Sequence, residues 1–481
     1  MSHEVLLVLA LALPAVAATL VALCHRWPNL RETVSLVAAA ATFLAVLALA
    51  QDVLAGARPR LVLAEMLPGL ALVLELEPLG LLFALIASGL WFVSGVYSIG
   101  YMRGNDEGHQ TRFYVCFALA IAGAIGVAFA GNLLTLYLFY EALTLVTYPL
   151  VTHHGDDQAR SGGRTYLALL LASSLLFLLP AMALTWWVSG TLDFTAGGIL
   201  GGKVSGAAAA GLLALYAFGI GKAALMPIHR WLPAAMVAPT PVSALLHAVA
   251  VVKAGVFSIV KVVLYVFGLD FGPDAFAWLP WVAGFTIVAA SIVALRADNL
   301  KRRLAYSTVS QLSYVVLAAA ILTPLSMVGA VLHIAAHAFG KITLFFAAGA
   351  VYTAAHKTEV SQLDGIGRRM PWTFAAFGIG ALSMIGLPPA AGFVSKWYMI
   401  SGALAAEHWL ALGVIVVSTL LNAGYFLPIV YRAFFVPAPK GEHPHGEAPW
   451  TMVAALAATA ALTIVMFFWA DLPLALARSL A

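Results

Sequence analysis

The feature that most constrains this chain is the recurrence of long apolar runs from one end of it to the other. We count about fourteen runs of about 18–25 residues, and a helix of about 20 apolar residues spans the hydrocarbon core of a bilayer. Of the 481 residues, 63% are hydrophobic and 10% are charged, which excludes a soluble globular domain. The sequence therefore predicts an all-α polytopic membrane protein, with a single transmembrane domain over residues 1–481. The predicted spans are roughly 4–23, 32–51, 79–99, 114–130, 132–151, 165–188, 207–228, 240–260, 275–295, 304–322, 325–354, 372–400, 408–431 and 450–470.

The positive charges support this count and predict the orientation. Sixteen of the 25 lysines and arginines fall in loops that follow odd-numbered helices, five in the other loops and the C-terminus, and four inside predicted helices. This bias predicts cytoplasmic odd loops, with both termini on the outer side of the inner (plasma) membrane. It also explains the net charge of +4 without a nucleic-acid partner. The smaller loop set is Arg58, Arg60, Lys203, Lys261 and Arg478. The larger set is Arg26, Arg31, Arg103, Arg112, Arg160, Arg164, Arg230, Arg296, Lys301, Arg302, Arg303, Lys357, Arg368, Arg369, Arg432 and Lys440.

Proline and glycine interrupt two of the predicted helices. Pro227 and Pro233 follow Lys222 in predicted helix 7, and GLPPAAG precedes Lys396 in predicted helix 12. Proline removes a backbone donor, and freed backbone groups at membrane depth need protein or water partners. The breaks lie five helices apart, an odd offset that predicts two inverted five-helix repeats with working sites at the broken helices. The repeats are helices 4–8 (114–260) and 9–13 (275–431), preceded by helices 1–3 (1–113) and followed by helix 14 (450–470).

Five ionisable side chains lie inside these apolar runs, namely Glu141, Lys222, Lys253, Lys341 and Lys396. A charge in hydrocarbon is costly, so each indicates a functional group that faces a polar pathway. Lysine suits proton transfer because burial can bring the pKa of this residue type from about 10 towards neutrality. The alternative is a structural scaffold with inert ion pairs, which predicts matched charges. Four lysines against one carboxylate are poorly matched.

Histidines extend this set. His333, His337 and Lys341 are spaced i, i+4, i+8 and share one helix face within about 80°. Imidazole titrates near neutrality and both donates and accepts protons, so the pattern indicates a proton relay, to which His247 is a candidate link. One alternative, for either histidine alone, is a core histidine hydrogen-bonded to its neighbours. The other is a zinc site, but no acid or cysteine completes it and Lys341 would repel a cation. Since iron–sulfur, phosphate-loop and dinucleotide motifs are also missing, the sequence predicts neither a metal nor a cofactor.

Several segments together resemble a known family. They are LYLFYEALTLVTYPLV around Glu141, the block 222–257 from Lys222 through Lys253, DNLKRRLAYSTVSQLSY at 298–314, LHIAAHAFGKITLFFAAGAV around Lys341 and GLPPAAGFVSKWY around Lys396. Nearly the whole chain is similar to the antiporter-like subunits of respiratory complex I, membrane-bound hydrogenases and Mrp-type cation/proton antiporters.

This resemblance implies fourteen helices in two inverted repeats, with helices 7 and 12 discontinuous. It implies an ion pair between Glu141 and Lys222. It also implies a polar axis in the membrane plane through Lys253, His247, His337 and Lys341 to Lys396.

Within the family, the resemblance is greatest to the D-type subunit of Mrp antiporters. Subunit M of complex I usually carries glutamate where this chain has Lys396. The chain is expected to lack the lateral helix of subunit L and the C-terminal extension of the A-type Mrp subunit. Subunit N of complex I and a hydrogenase subunit remain open, and FYEALTLVTYPLVTHHG with the 436–450 linker favours the D-type subunit of Mrp.

The predicted function is therefore a proton or cation/proton translocating subunit of a multisubunit complex. The alternative is a proton-pumping subunit of a complex I-type NADH-quinone oxidoreductase or a membrane-bound hydrogenase. The expected partners are other membrane subunits, with a carbon-uptake protein as a further option, together with lipid and protons, and with sodium as a further ion left open. No catalytic site of its own is expected.

Overall fold

The computed structural model describes residues 2–439 and 445–480, so Lys440 and part of the 436–450 linker lie outside the described residues. Within these residues, eleven helices are long and apolar enough to cross a membrane. They account for eleven of the predicted spans. The other three are the two broken helices and the helix over Leu300–Ala320, whose serines and Gln311 lower its hydropathy. All fourteen predicted spans thus fall on helices or on broken helices.

The chain begins with three long helices and a small hairpin. The connector 51–78, expected from the sequence to be a loop, forms a short helix and two antiparallel strands that pair from Arg60 with Glu75 to Leu67 with Leu70. Gly69 sits in the turn with φ 78, a left-handed conformation that favours glycine. The elements are α1 (His3–Leu23), α2 (Pro28–Ala48), α3 (Ala50–Leu54), β1 (Arg60–Leu67), β2 (Leu70–Glu75) and α4 (Pro78–Gly104).

The first predicted five-helix unit contains the first break. The helices α7 and α8 are joined through a π-helical turn at Ser174–Leu178, and α11 and α12 through another at Leu245–Val249. Wide turns of this kind are frequent at functional sites. The helices are α5 (Gln110–Ala128), α6 (Leu133–Val151), α7 (Asp157–Ser173), α8 (Leu179–Ser189), α9 (Gly206–Gly219), α10 (Trp231–Ala234), α11 (Thr240–Ala244) and α12 (Val251–Val262).

The second predicted unit is broken at its fourth helix, as the first unit is. Its inverted orientation relative to the first unit stays a prediction. Its helices are α13 (Leu279–Arg296), α14 (Leu300–Ala320), α15 (Pro324–Ala355), the broken pair α16 (Pro371–Ile385) and α17 (Ala391–Ala405), and α18 (Trp409–Phe435); α19 (Trp450–Phe468) and α20 (Asp471–Arg478) follow.

Two helical segments form the centre of the molecule. In Thr240–Phe267 and in Pro324–Ala355, 94% of the residues in the apolar 18-residue stretch of the helix are buried inside the protein. In the peripheral helix α1, 33% of the corresponding residues are buried. Lys253, His247, His333, His337 and Lys341 all lie on these two segments. These five candidate groups therefore lie in the protein interior.

One charge assignment from the sequence is wrong. The sequence places Lys261 in an outer loop, because the predicted span ends at about residue 260. The helical segment continues through Val262 and a π-helical turn to Phe267, so Lys261 lies inside the helix with 1% of its surface exposed. The chain thus buries a fifth lysine.

Candidate functional site

The first break positions Lys222. Helix α9 ends at Gly219, and the chain continues as a short 3-10 turn over Gly221–Ala223. Gly255 of α12 packs directly against this turn, since a Cβ at that position would lie 2.3 Å from the carbonyl carbon of Lys222. The break therefore places the backbone of Lys222 in close contact with helix α12.

The ammonium of Lys222 is fully buried and bound to helix α6. Its Nζ donates hydrogen bonds to the Tyr140 carbonyl oxygen and to Thr144 Oγ1, both at 2.6 Å. It also lies 3.2 Å from the centre of the Tyr140 ring, a cation–π contact. Lys222 thus binds helix α6 through Thr144 and a backbone carbonyl.

The ion pair between Glu141 and Lys222 that the resemblance implies is not formed. Both carboxylate oxygens of Glu141 are buried, and neither has a hydrogen-bond partner among the described residues. Leu138 and Leu145 on the same face of α6 are 41% and 55% exposed, so Glu141 lies beside a surface that lipid or a partner covers. The carboxylate is one residue from Tyr140, whose carbonyl holds Lys222, and remains unpaired.

Lys253 and His337 meet in the protein centre. The Nζ of Lys253 lies 2.6 Å from Nδ1 of His337, which joins helix α12 to helix α15. His247, one π-helical turn before α12, packs its ring 4.7 Å from that of Phe345. Neither ring nitrogen of His247 has a partner among the described residues, so it is not hydrogen-bonded into this contact.

His333 continues the row towards the second break. Its ring lies 6.1 Å from that of His337, and its Nδ1 lies 2.9 Å from the hydroxyl of Ser395. Its Nε2 lies 3.0 Å from Oε1 of Gln311 on α14. One imidazole therefore links helices α14, α15 and α17.

Lys396 is held at the second break. Helix α16 ends at Ile385, and its last carbonyls at Met384 and Ile385 accept hydrogen bonds of 3.2 and 2.8 Å from Nζ of Lys396. A helix C-terminus carries partial negative charge, so it stabilises an ammonium without a carboxylate. A Cβ on Gly386 would lie 2.5 Å from Cδ of Lys396, so the glycine leaves room for this side chain.

Lys341 lies on a branch away from this row. Its Nζ donates to Ser307 Oγ at 2.8 Å, and the Tyr425 hydroxyl donates to the same oxygen at 3.0 Å. The shared face of His333, His337 and Lys341 is therefore divided. The two histidines contact Lys253 and Ser395, whereas Lys341 contacts helices α14 and α18.

The predicted residues thus form a row, a branch at Lys341 and a separate centre at Lys222. The row runs from Lys253 through His337 and His333 to Ser395 beside Lys396. Tyr314 lies against it, with its ring 5.7 Å from His333 and 4.8 Å from Nζ of Lys396.

Comparison with known proteins identifies the family of this arrangement. The family "NADH:quinone oxidoreductase/Mrp antiporter, TM" matches residues 130–422, which hold both breaks and every candidate residue. The chain belongs to this family. It is an antiporter-like membrane subunit of the type found in Mrp, complex I and hydrogenase complexes.

Individual relatives of this antiporter-like subunit come from all three kinds of complex. It is 35% identical to NADH-quinone oxidoreductase subunit N of Desulforudis audaxviator, over 82% of this chain and 79% of that protein. It is 30% identical to hydrogenase-4 component B of Escherichia coli, over 82% of this chain and 62% of that protein. It is also 30% identical to the A/B subunit of a probable K(+)/H(+) antiporter of Rhizobium meliloti, over 79% of this chain and 39% of that protein.

Solved structures share the fold over the whole chain. A chain of the Mrp complex from Dietzia sp. DQ12-45-1b superimposes with a TM-score of 0.90, covering 100% of this chain and 97% of that chain at 22% identity. A chain of an archaeal membrane-bound sulfane sulfur reductase gives 0.88, covering 99% and 97% at 24% identity. At these identities the likeness shows the fold of the antiporter-like subunit.

The structure adds groups that the sequence reasoning missed. Tyr140 supplies the carbonyl oxygen and the ring that hold Lys222, and no sequence pattern marks a backbone carbonyl as an acceptor. Ser395, directly before Lys396, carries no sequence signal of its own. Lys261 and Glu77 form a buried ion pair, with Nζ 3.4 Å from Oε1. Glu77 stands at the entry of α4, two residues before the predicted span 79–99.

Proposed function

We propose that this antiporter-like subunit translocates protons, in the manner of a cation/proton antiporter component similar to the D-type subunit of Mrp. The observation that carries the proposal is the buried row from Lys253 through His337 and His333 to Lys396. Lysine and histidine side chains can exchange protons. Their burial at this depth is energetically costly, and such residues in membrane proteins mark ion and proton pathways. The catalytic roles assigned to Glu141, Lys222, Lys253, His247, His333, His337, Lys341 and Lys396 are part of this proposal.

The first step takes place at Lys222. Its ammonium is held by neutral oxygens of α6, while the Glu141 carboxylate lies free at the edge of an exposed face. When Glu141 swings towards Lys222, Coulomb attraction stabilises the ammonium. When a charge in a neighbouring subunit pulls Glu141 away, Lys222 releases its proton towards Lys253.

The later steps follow the row. The short contact between Lys253 and His337 passes the proton from an ammonium to an imidazole. Water completes the remaining 6.1 Å between the rings of His337 and His333 and the step past Ser395. Lys396 receives the proton at the C-terminus of α16 and releases it to the outer side.

Partners and orientation belong to the same proposal. The relatives named above are subunits of multisubunit complexes, which supports other membrane subunits as the cover for the Glu141 face. The charge bias of the loops supports both termini on the outer side of the plasma membrane.

The test uses the complex that co-purifies with the full chain, reconstituted in vesicles with a pH-sensitive dye. Lys222→Met and Glu141→Gln are expected to lower proton transport per assembled complex at least tenfold. The matched controls are Lys203→Met and Glu65→Gln, which change exposed residues outside the breaks and should transport as the wild type does. Full transport by both site variants in an assembled complex would contradict the proposal.

A second candidate function rests on the similarity to NADH-quinone oxidoreductase subunit N. In this case the same row pumps protons in a redox-driven complex of the complex I or hydrogenase type. Mass spectrometry of the co-purified subunits separates the two. Redox subunits that carry flavin or iron–sulfur clusters favour the second function, and a complex made only of membrane subunits favours the first.

A further inference from the structure

A second charged site lies at the hairpin side of the molecule, two helical turns from Lys253. The Nζ of Lys261 donates to the carbonyl oxygen of Ala130 at 2.6 Å and lies 3.4 Å from Oε1 of Glu77. Glu77 also accepts hydrogen bonds from the backbone N–H groups of Leu79 and Gly80 and from the Tyr265 hydroxyl. These donors fix the carboxylate in place. Glu77 is thus the stationary counter-charge of Lys261.

This ion pair opens onto a cavity of about 240 Å³. A water molecule occupies about 30 Å³ in the liquid, so the space holds several. Arg58, Glu75, Thr195, Tyr265 and Lys261 are among its lining residues. The ammonium, although buried from bulk solvent, therefore adjoins a space with polar walls.

The second carboxylate at the cavity, that of Glu75, is held by fewer contacts than that of Glu77. Glu75 lies 3.8 Å from Arg60, which also pairs with Asp193 at 3.4 Å. Burial raises the pKa of the Glu75 carboxyl, and the charges of Arg60, Lys261 and Arg58 oppose this rise. The groups that face Lys261 are therefore Glu77, Glu75, Arg58 and Tyr265.

Two phenylalanines close the way from this site to the row. Phe257 lies one turn after Lys253 and one turn before Lys261 on the same helix, a rise of about 12 Å between the two lysines. Its ring contacts that of Phe83 at 5.1 Å, and Nζ of Lys261 lies 5.2 Å from its centre. The rings form an apolar barrier between two buried lysine side chains.

We propose that the Lys261 site is a second proton port, which exchanges protons between Lys253 and the hairpin side of the membrane. In it, an N–H bond of the Lys261 ammonium breaks, and the proton passes to water in the cavity and on to Glu75. This leaves a neutral amine, which Lys253 re-protonates when the Phe83–Phe257 contact opens. This port depends on the proposed proton transport. It gives protons an exit in the first unit, in addition to the exit at Lys396.

Water access is tested by cysteine labelling. In a Cys24→Ser/Cys116→Ser background, Phe194→Cys tests the cavity next to the ammonium, because the partly buried Phe194 ring lines the cavity 4.6 Å from Nζ of Lys261. Leu63→Cys is an exposed control, and Ser258→Cys is a buried control. A membrane-impermeant maleimide applied to the hairpin side is expected to label Phe194→Cys within about tenfold of the rate for Leu63→Cys. Labelling no faster than that of Ser258→Cys would overturn the proposal.

Transport tests the role of the ion pair. Lys261→Met is expected to lower proton transport per assembled complex at least tenfold, Glu75→Gln to lower it several-fold, and Phe257→Ala to raise passive proton leak. Lys203→Met, which changes an exposed lysine that does not line this cavity, is the control. If Lys261→Met lowers the melting temperature but leaves the rate per assembled complex unchanged, the pair only fastens the hairpin and the proposal is wrong.

Lys253→Met in the same vesicles separates this failure from a failure of the proposed function. If Lys253→Met abolishes transport while Lys261→Met does not, only the port is refuted. If neither substitution affects transport, the proton-transfer function is refuted as well.

Discussion

The contact between Gly255 and the first break gives a sharp test of how Lys222 is positioned. In Gly255→Ala, the new Cβ would lie 2.3 Å from the backbone of Lys222 and Ala223, whereas ordinary contact begins at 3.4 Å. The deficit of 1.1 Å involves backbone on both sides, so the 3-10 turn must move by about that distance. Nζ of Lys222 would then leave hydrogen-bond range of Thr144 and of the Tyr140 carbonyl, both now at 2.6 Å.

The expected loss follows from those two bonds. A hydrogen bond to a charged group contributes about 1.5–3 kcal/mol, and each 1.4 kcal/mol corresponds to a factor of about ten. Losing even one of them should reduce proton transport at least tenfold in vesicles that contain the assembled complex. The overpacked contact itself should cost about 1–3 kcal/mol of stability.

Gly211→Ala is the matched control for this experiment. Gly211 lies in α9 of the same broken helix, and a Cβ there would meet nothing within 4 Å. Alanine in a helix interior is favoured over glycine by about 0.5–1 kcal/mol, so this variant should keep full transport and equal or higher stability. If Gly255→Ala transported at the rate of Gly211→Ala, the placement of Lys222 would not matter and the reasoning would fail.

Two further predictions concern the loops. Glu447 accepts hydrogen bonds from the N–H of Trp372 at 2.7 Å and from the Thr373 hydroxyl at 2.6 Å, at the start of helix α16. Glu447→Ala should therefore lower the free energy of unfolding by about 1 kcal/mol and lower the melting temperature. An unchanged melting temperature would contradict this capping role. The hydrogen bond that the His154 ring donates to the Glu107 carboxylate raises the pKa of His154. His154 therefore stabilises the folded state below pH about 6.5, and this contribution is lost as pH rises through the raised value. The melting temperature of His154→Gln should therefore be lower than that of the wild type at pH 6 and should converge with it by pH 9. A difference that is independent of pH would refute the assignment.

The sequence was sufficient to place the spans and to predict that four lysines are buried. Burial of Lys222, Lys253, Lys341 and Lys396 followed from the cost of a charge in an apolar run, and all four are 0–3% exposed. The breaks followed from proline and glycine chemistry. Both depend only on local residue types, which a single sequence carries.

What the sequence did not predict depends on which helices face each other. The acceptors of Lys222 and Lys396 are backbone carbonyls of α6 and α16, and carbonyls are present at every residue. Periodicity placed His333, His337 and Lys341 on one face, but Lys341 binds Ser307 of a different neighbour helix. Lys261 is missed because the predicted span ends at about residue 260, whereas the helical segment continues to Phe267.

The way Lys396 is held has a consequence for ion selectivity. Its charge is balanced by two peptide carbonyls at a helix end, and the row leading to it offers ammonium and imidazole groups rather than acidic oxygens. Hard metal cations need several oxygen ligands, carboxylates foremost, and would be repelled by Lys253 and Lys396. Under the proposed function, such an interior passes a proton, which can reside on nitrogen as a covalent N–H bond, and repels a metal cation, which cannot. A sodium or potassium ion exchanged by the proposed complex would then cross along a different boundary, where a neighbouring subunit supplies the oxygens.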